Sequence, residues 1–462
     1  MTASQRAAVT AWVVGAIVLL LALAGCQTGT ASGRATVGLP NAATAATSPP
    51  PASAASSSAS PGTTSGGSTT ASSEPESTTL SVLPTDSSAA ASTSATPTPT
   101  APTPPKPAAK VTASPAFGAE GITPIAPLTV KVTDGVITKL TMTNPDGVAV
   151  KGKLAADKTS WTVAEDLGYG RTYTVTGTAK GENGKAKKIE GQWTTLTPFA
   201  EITTNVSPGD DAVVGVAAPI IIRFGFEAQD PALIEKNVRV VTDPEVEGAW
   251  AWIVHDGDDY ASLDWRPKKY WPANTKVHVE ANMYGLKFAD NYYGGYDVTS
   301  DFTIGRNQVV YADATSHELV VKRDGETVAV YAASYGSGDD IGDPNRVTRS
   351  GIHIVMDKKE HTKMSNPEYG YVNLDEYWAV RISNNGEFIH QNQGTVDAQG
   401  NTNVSHGCVN LSAEHAQQYF ESAIYGDPVE VTGTSVELSA ADGDVYDWAI
   451  PWSEWKSMSA LG

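Results

Sequence analysis

Short runs of alternating apolar and polar residues, separated by turn residues, fill the chain between about residues 111 and 304. Typical examples are LTVKV at 128–132 and YTV at 173–175. An alternation with a period of two is typical of strands that bury one face, and frequent turn signals between such runs are typical of antiparallel sheets. The pattern therefore predicts a mainly β structure for this region.

The region also repeats itself. Trp161 and Trp265 are each followed, twelve and fourteen residues later, by large apolar or aromatic residues. Two copies about a hundred residues apart predict two tandem immunoglobulin-like β-sandwich modules, at 111–197 and 198–305. Neither copy contains a cysteine, so the prediction concerns architecture alone, and tryptophans at strand spacing are more typical of a core than of a glycan-binding surface.

A third β-rich domain is predicted at 306–433. Its first hairpin pairs 319–322 with 328–331 around Asp324-Gly325, a turn that tolerates positive φ. Near its end, Ser412 is expected to cap a helix that runs to Ser422, and 428–431 is expected to form a closing strand.

Both ends of the chain differ from these modules. Residues 27–110 consist largely of Ala, Ser, Thr and Pro, so they cannot bury a core and are expected to be a disordered spacer with a reach of about 50 Å. The tail at 434–462 is rich in tryptophan. Because an exposed cluster of that kind is unfavourable, we expect the tail to pack back on the folded part.

The N-terminus indicates export. Arg6 precedes an apolar run at 7–24, and Leu23-Ala24-Gly25-Cys26 resembles the lipobox of a lipoprotein signal peptide, which implies a lipid on Cys26 and a signal at 1–26. The alternatives are a plain signal peptide or a short membrane anchor. In each case the remainder of the chain lies outside the cytoplasmic membrane. The net charge of −19, without a basic stripe, argues against a nucleic-acid partner.

Only two cysteines are present, Cys26 and Cys408. If Cys26 carries lipid, Cys408 is a single thiol in a compartment where thiols tend to oxidise, which favours a chemical role. A thiol needs a neighbouring base to become a nucleophile, and His390 and His406 are both candidates by type. The simpler alternative is a buried cysteine that acts as a small hydrophobic residue.

The spacing narrows this choice. His390, fourteen intervening residues and then Ser405-His406-Gly407-Cys408-Val409-Asn410 resemble the signature of the YkuD-like L,D-transpeptidases. The resemblance implies a β-rich, barrel-like catalytic domain that makes 3→3 cross-links in peptidoglycan. It also implies that the sulfur attacks the carbonyl at the L-centre of meso-diaminopimelate, releases D-alanine, and passes the acyl group to a diaminopimelate amine.

The same resemblance implies a role for each residue of the signature and for four others. Cys408 is the nucleophile and His390 its base. Backbone N–H groups of Gly407 and Cys408 line the oxyanion hole, His406 organises the loop, and Ser405 and Asn410 hold the turn. The residues expected near the substrate are Tyr371, Met356, His353 and Gln391, the last replacing a small residue whose carbonyl orients the histidine in relatives.

No cofactor or metal is expected. The implied partners are donor and acceptor stem peptides, carbapenems as covalent inhibitors, and the membrane through the N-terminal lipid, for a monomer in the cell envelope. A hydrolase or L,D-carboxypeptidase on the same stems, and a wall-binding lipoprotein that has lost catalysis, stay open as alternatives. A sortase-like site needs a wider His–Cys separation and a following arginine, and a papain-like hydrolase has its cysteine before its histidine.

Overall fold

The structure is a computed structural model that describes residues 104–440 and 445–462. The predicted signal peptide with Cys26, and nearly all of the predicted spacer, lie outside these ranges. Within the described part of the chain, no helix is long and apolar enough to cross a membrane.

The first β module follows from the alternation of its strands. In TVKVT at 129–133, Val130 and Val132 are fully buried while the lysine between them is exposed. Two four-stranded sheets, ordered β1-β2-β6-β5 and β4-β3-β7-β8, enclose a core that includes Trp161 and Trp193. The strands are β1 (Lys110–Ser114), β2 (Thr129–Thr133), β3 (Gly135–Thr143), β4 (Ala149–Val150), β5 (Gly152–Leu154), β6 (Ser160–Val163), β7 (Thr172–Gly181) and β8 (Ala186–Thr194).

The second β module also has two four-stranded sheets and adds a three-stranded one, with Trp265 in its core as Trp161 is in that of the first. Its elements are β9 (Ala200–Ile202), β10 (Thr204–Ser207), β11 (Val213–Val214), β12 (Ile220–Phe224), α1 (Pro231–Glu235), β13 (Val238–Asp243), β14 (Gly248–Ile253), β15 (Ser262–Pro267), β16 (Lys276–Ala281), β17 (Lys287–Ala289), β18 (Tyr292–Gly294) and β19 (Val298–Ile304). The sheet orders are β10-β12-β15-β14, β11-β19-β16-β13 and β17-β18-β9.

The third β module contains a five-stranded and a four-stranded sheet. The predicted hairpin is present, with Asp324 and Gly325 at positive φ in its turn. Its elements are β20 (Gln308–Asp313), β21 (Glu318–Arg323), β22 (Glu326–Ala332), α2 (Gly338–Ile341), β23 (Gly351–Ile354), β24 (Asp357–Asn366), β25 (Tyr371–Arg381), β26 (Phe388–Gln391), β27 (Val409–Leu411), α3 (Ala413–Ser422) and β28 (Pro428–Thr432).

The sheets of this module do not close into a barrel within the described residues. Their orders are β22-β21-β20-β28-β23 and β24-β25-β26-β27, and each order ends in two separate edge strands. The expectation of a barrel-like domain is therefore corrected to two open sheets. They share one core, to which the predicted helix α3 contributes Ala416, Tyr419 and Phe420.

The tail packs on the second and third modules. Its helix α4 (Trp452–Ser457) buries Trp455 against Ala251 and Ile253 of β14. Trp448 lies beside a second cluster, in which Ile221 of the second module meets Ile354 of the third. The tail therefore covers apolar surface of both modules.

Candidate active site

Parallel pairing of β26 and β27 brings the two ends of the sequence signature together. His390 lies opposite Asn410 in this ladder, and Cys408 comes directly before β27. The pairing is held by apolar burial, since Ile389, Val409 and Leu411 are completely inaccessible. Two residues that are eighteen positions apart in sequence thus share one edge of the sheet.

His390 is buried and has three polar neighbours. Its Nδ1 donates to the backbone carbonyl of Gln391 at 2.7 Å and to Oε2 of Glu376 at 3.0 Å, and the imidazole is also hydrogen-bonded to Cys408. Burial lowers the pKa of His390, but the hydrogen bonds with Cys408 and Glu376 outweigh it and raise the pKa to about 10. The imidazole is therefore protonated at neutral pH, and a positive charge stands beside the sulfur.

The sulfur lies in a half-buried position at a tight loop. Sγ of Cys408 contacts the carbonyl of Gly386 at 3.5 Å. Ser405 Oγ donates to the carbonyl of Cys408 at 2.6 Å, and Thr348 Oγ1 donates to the carbonyl of Gly407 at 2.8 Å. Gly407 has φ of +118°, a conformation that side-chain-bearing residues rarely adopt. The loop thus holds Cys408 in place through hydrogen bonds to its backbone.

Two residues of the signature are placed differently from the expected roles. The N–H of Gly407 donates to Ser405 Oγ at 3.1 Å, so this hydrogen bond must be exchanged before the group can bind an oxyanion. Asn410 holds the turn through its backbone, which exchanges hydrogen bonds with Ser334, whereas its buried side-chain oxygen has no partner in the described part of the chain.

The remaining histidine of the signature, His406, points outward between two aromatic rings. Its ring centroid lies 5.1 Å from that of Tyr369 and 5.5 Å from that of Tyr371. Burial, followed by the charge of Arg346, lowers the pKa of His406. A neutral, aromatic-flanked imidazole fits the expected organising role better than that of a base.

The four residues expected near the substrate divide into two pairs. Tyr371 is half-buried and lies close to Cys408, since burial and then the charge of Cys408 raise the pKa of its phenol. Gln391 supplies the carbonyl that orients His390. In contrast, Met356 packs beside the cluster that joins the second and third modules, and His353 is fully buried with both ring nitrogens facing backbone carbonyls.

Three further residues near Cys408 and His390 are not marked by any sequence motif: Glu376, Arg346 and Tyr369. Glu376 is a buried carboxylate within an otherwise exposed stretch of β25. Its contact with His390 arises from strand pairing across the sheet, and no local motif marks it.

In the described ranges, no group of three His, Cys, Asp or Glu side chains is arranged to hold a metal ion.

Comparisons with known proteins match two domain families along the chain. The model of an L,D-transpeptidase catalytic domain matches residues 307–431, and a bacterial Ig domain matches residues 119–287. The Ig match runs across both β modules as one span, so the predicted boundaries at 197/198 and 305/306 stay predictions.

Curated relatives match over most of the chain. L,D-transpeptidase 5 of Mycobacterium tuberculosis is 48% identical over 77% of this chain and 78% of its own length. L,D-transpeptidase 2 of the same species is 37% identical over 76% of this chain and 85% of its own length. A solved structure of an L,D-transpeptidase in complex with imipenem is 30% identical over 51% of this chain and all of that one, with a TM-score of 0.42.

Proposed function

The chain belongs to the L,D-transpeptidases, the acyltransferases of peptidoglycan, and from this membership we propose that Cys408 is the nucleophile and His390 its proton carrier. The observation that carries the proposal is the parallel pairing of β26 and β27, which brings His390 beside Cys408; the raised pKa of His390 agrees with it. A protonated imidazole beside the sulfur stabilises the thiolate, which is the reactive form.

In the acylation step, the thiolate of Cys408 attacks the carbonyl carbon at the L-centre of diaminopimelate in a donor tetrapeptide. A C–S bond forms and the carbonyl oxygen becomes an oxyanion, for which the N–H of Cys408 and, after release from Ser405, that of Gly407 are donors. His390 then gives its proton to the amine of D-alanine as the C–N bond breaks. The product is a thioester on Cys408.

In the second step, the side-chain amine of an acceptor diaminopimelate attacks the thioester carbon. His390, now neutral, takes a proton from that amine, and the C–S bond breaks to restore the thiolate. The new amide is a 3→3 cross-link. The carbonyl of Gln391 and the carboxylate of Glu376 keep Nδ1 protonated throughout, so that the other ring nitrogen exchanges protons with the reacting groups.

A direct test is to incubate the protein with a diaminopimelate-containing disaccharide tetrapeptide and to follow products by mass spectrometry. We expect a covalent adduct at Cys408 and a cross-linked dimer, and neither with Cys408→Ala. Thr402→Ala, a change of an exposed residue in the same connection, is the matched control and should leave both products unchanged.

The outcomes separate the alternatives. Hydrolysed donor without dimer would favour a carboxypeptidase, and no adduct would favour a module without catalysis. Dimer formation by Cys408→Ala would contradict the proposed nucleophile.

Carbapenems are proposed as covalent inhibitors of the same sulfur. The thiolate would attack the strained lactam carbonyl, and the lactam C–N bond would open as its nitrogen takes the proton of His390. After incubation with imipenem, mass spectrometry should show the peptide that contains Cys408 heavier by the mass of one imipenem molecule.

The place of action is the cell wall, where L,D-transpeptidases with Ig-like domains act. Lipid attachment at Cys26 is a proposal that rests on the lipobox. Residues 27–110 would then let a monomeric folded part reach from the membrane into the wall.

A further inference from the structure

We propose that Arg346 binds a carboxylate of the donor stem peptide and thereby determines which stem peptides the site accepts. The inference rests on the proposed function of Cys408. The guanidinium of Arg346 has no counter-ion among residues 104–440 and 445–462, because no carboxylate there lies within ion-pair distance of it.

The hydrogen bonds of this guanidinium are poor. Its Nη2 reaches the carbonyls of Val404 and Ser405 only at 3.5 Å, the outer limit of a hydrogen bond. Its Nε is buried and has no partner in the described structure. Buried polar groups are normally satisfied, so the buried and unpaired Nε leaves Arg346 with a donor available to an acceptor.

Arg346 lies at the rim of the active site. It ends the 3₁₀ turn Pro344–Arg346, and two residues later Thr348 donates to the carbonyl of Gly407. The charge of Arg346 is close enough to His406 to lower the pKa of that imidazole, after the larger effect of burial. The guanidinium therefore stands directly beside the loop that presents Cys408.

Aromatic side chains connect the guanidinium to the sulfur. Tyr369 lies under Arg346, with 5.8 Å between the guanidinium carbon and the ring centroid. The ring of His406 lies between Tyr369 and Tyr371, and Tyr371 interacts with Cys408. A peptide bound at Cys408 can extend along this row of rings to reach Arg346.

Asp343 contacts the same tyrosine as Arg346 but forms no ion pair with it. Asp343 accepts a hydrogen bond from the hydroxyl of Tyr369 at 2.9 Å, and its carboxylate is thereby directed to the tyrosine. The same bond fixes the ring under the guanidinium. A planar guanidinium on an aromatic face is weakly hydrated and held in place, which suits the two-point recognition of a carboxylate.

The proposed substrate supplies that chemistry. A donor tetrapeptide carries carboxylates on its terminal D-alanine, on the D-centre of diaminopimelate and on its D-glutamyl residue, and any of them can be masked as an amide. A hydrogen bond to a charged group contributes enough to change binding roughly 10- to 100-fold. Arg346 would thus discriminate between free and amidated stems.

The test measures kcat/KM for release of the terminal residue from the free-acid donor and from three donors amidated at one carboxylate each. The released residue is D-alanine, or D-alaninamide where the terminal carboxylate is the one amidated. For the wild-type protein, we expect amidation of one carboxylate to lower kcat/KM roughly 10- to 100-fold. Arg346→Gln should show a similar loss with the free acid and no further loss with that amide. Arg346→Lys should recover part of the loss.

Arg323→Gln is the matched control, since Arg323 is an exposed arginine of the same module whose Nε donates to Gln308. It should leave the preference for the free acid unchanged. A thermal melt of each variant detects a purely structural effect.

An equal loss for all four donors in Arg346→Gln, or no loss at all, would overturn the inference. Adduct formation at Cys408 in the wild-type protein is measured in the same samples. If that adduct is absent, the proposed function fails; if it is present while Arg346→Gln keeps the wild-type preference, only the role of Arg346 fails.

Discussion

The protonation of His390 is decided by burial, which opposes it, and by two neighbouring side chains, which favour it. Burial disfavours the charged ring, whereas Cys408 and Glu376 favour it, and the carbonyl of Gln391 fixes the tautomer. Glu376 is the one neighbour that is negatively charged without taking part in bond formation. At the residue scale, a substitution of Glu376 is therefore the most direct way to change the pKa of His390.

Glu376→Gln is expected to lower the pKa of His390, because the amide keeps the shape of the carboxylate without its charge. His390 must be protonated to give a proton to the leaving amine, so activity is lost as pH rises through its pKa. The alkaline limb of the profile of kcat/KM against pH, measured by D-alanine release, should move to lower pH in this variant.

Glu376→Asp, which keeps the charge at a longer distance, should move the limb less. An unchanged alkaline limb in Glu376→Gln, with a lower rate at all pH values, would show that Glu376 has only a structural role.

At the scale of elements, the site depends on the short parallel pair of β26 and β27, against which helix α3 packs. Helix α3 packs Ala416, Tyr419 and Phe420 into the core that also contains Ile389 of β26 and Val409 of β27. Its N-cap residue Ser412 lies four positions after Cys408, and the helix begins at the next residue. Its N-terminal cap is therefore part of the support of the site.

Ser412→Ala should lower the free energy of unfolding by about 1 kcal/mol, because Ser412 Oγ accepts the N–H of His415 at 3.2 Å and caps α3. The loss should be visible as a lower thermal midpoint. Ser412→Asp retains a capping oxygen and serves as the matched control with a near wild-type midpoint. A midpoint for Ser412→Ala equal to that of Ser412→Asp would contradict the capping role.

At the scale of the whole molecule, the tail is attached through a buried arginine. The guanidinium of Arg266 lies 4.7, 5.2 and 4.8 Å from the ring centroids of Trp448, Trp452 and Trp455. Nearby, Asp447 is fully buried and neither of its carboxylate oxygens has a hydrogen-bond partner within the described residues. Burial and then the charge of Asp264 raise the pKa of Asp447 to about 8, against smaller opposing effects of His255 and Arg266.

This burial makes the docking of the tail dependent on pH. An unfolded aspartate has a pKa of about 3.9, so between that value and about 8 the folded state binds one more proton at Asp447 than the unfolded state. The contribution of Asp447 to the free energy of unfolding must therefore fall as pH rises through this range.

Asp447→Asn should remove this contribution and raise the thermal midpoint most at pH 8, with little change near pH 4. Thermal melts of both proteins across this range measure the effect. Asp256→Asn, in an exposed turn of the second module, is the control and should follow the wild-type curve. A constant difference between Asp447→Asn and wild type at all pH values would contradict the assignment.

Local patterns in the sequence were sufficient for several features. The alternation of residues such as Val130 and Val132 predicted strands, Asp324-Gly325 predicted the hairpin turn, and Ser412 predicted the start of α3. Each of these depends on interactions within a few residues, which the order of side chains specifies directly. The signature around Cys408 likewise indicated the family.

Tertiary structure alone decided the surroundings of the sulfur. The contacts of Glu376 with His390, and of Arg346 with the loop before Cys408, join residues that are 14 and 59 positions apart. His353 is buried away from solvent for the same reason, because strand pairing determines which side chains meet. The sequence by itself therefore determined the β modules and indicated Cys408 and His390 as the proposed reacting groups, while the folded sheets decided which charges surround those two side chains.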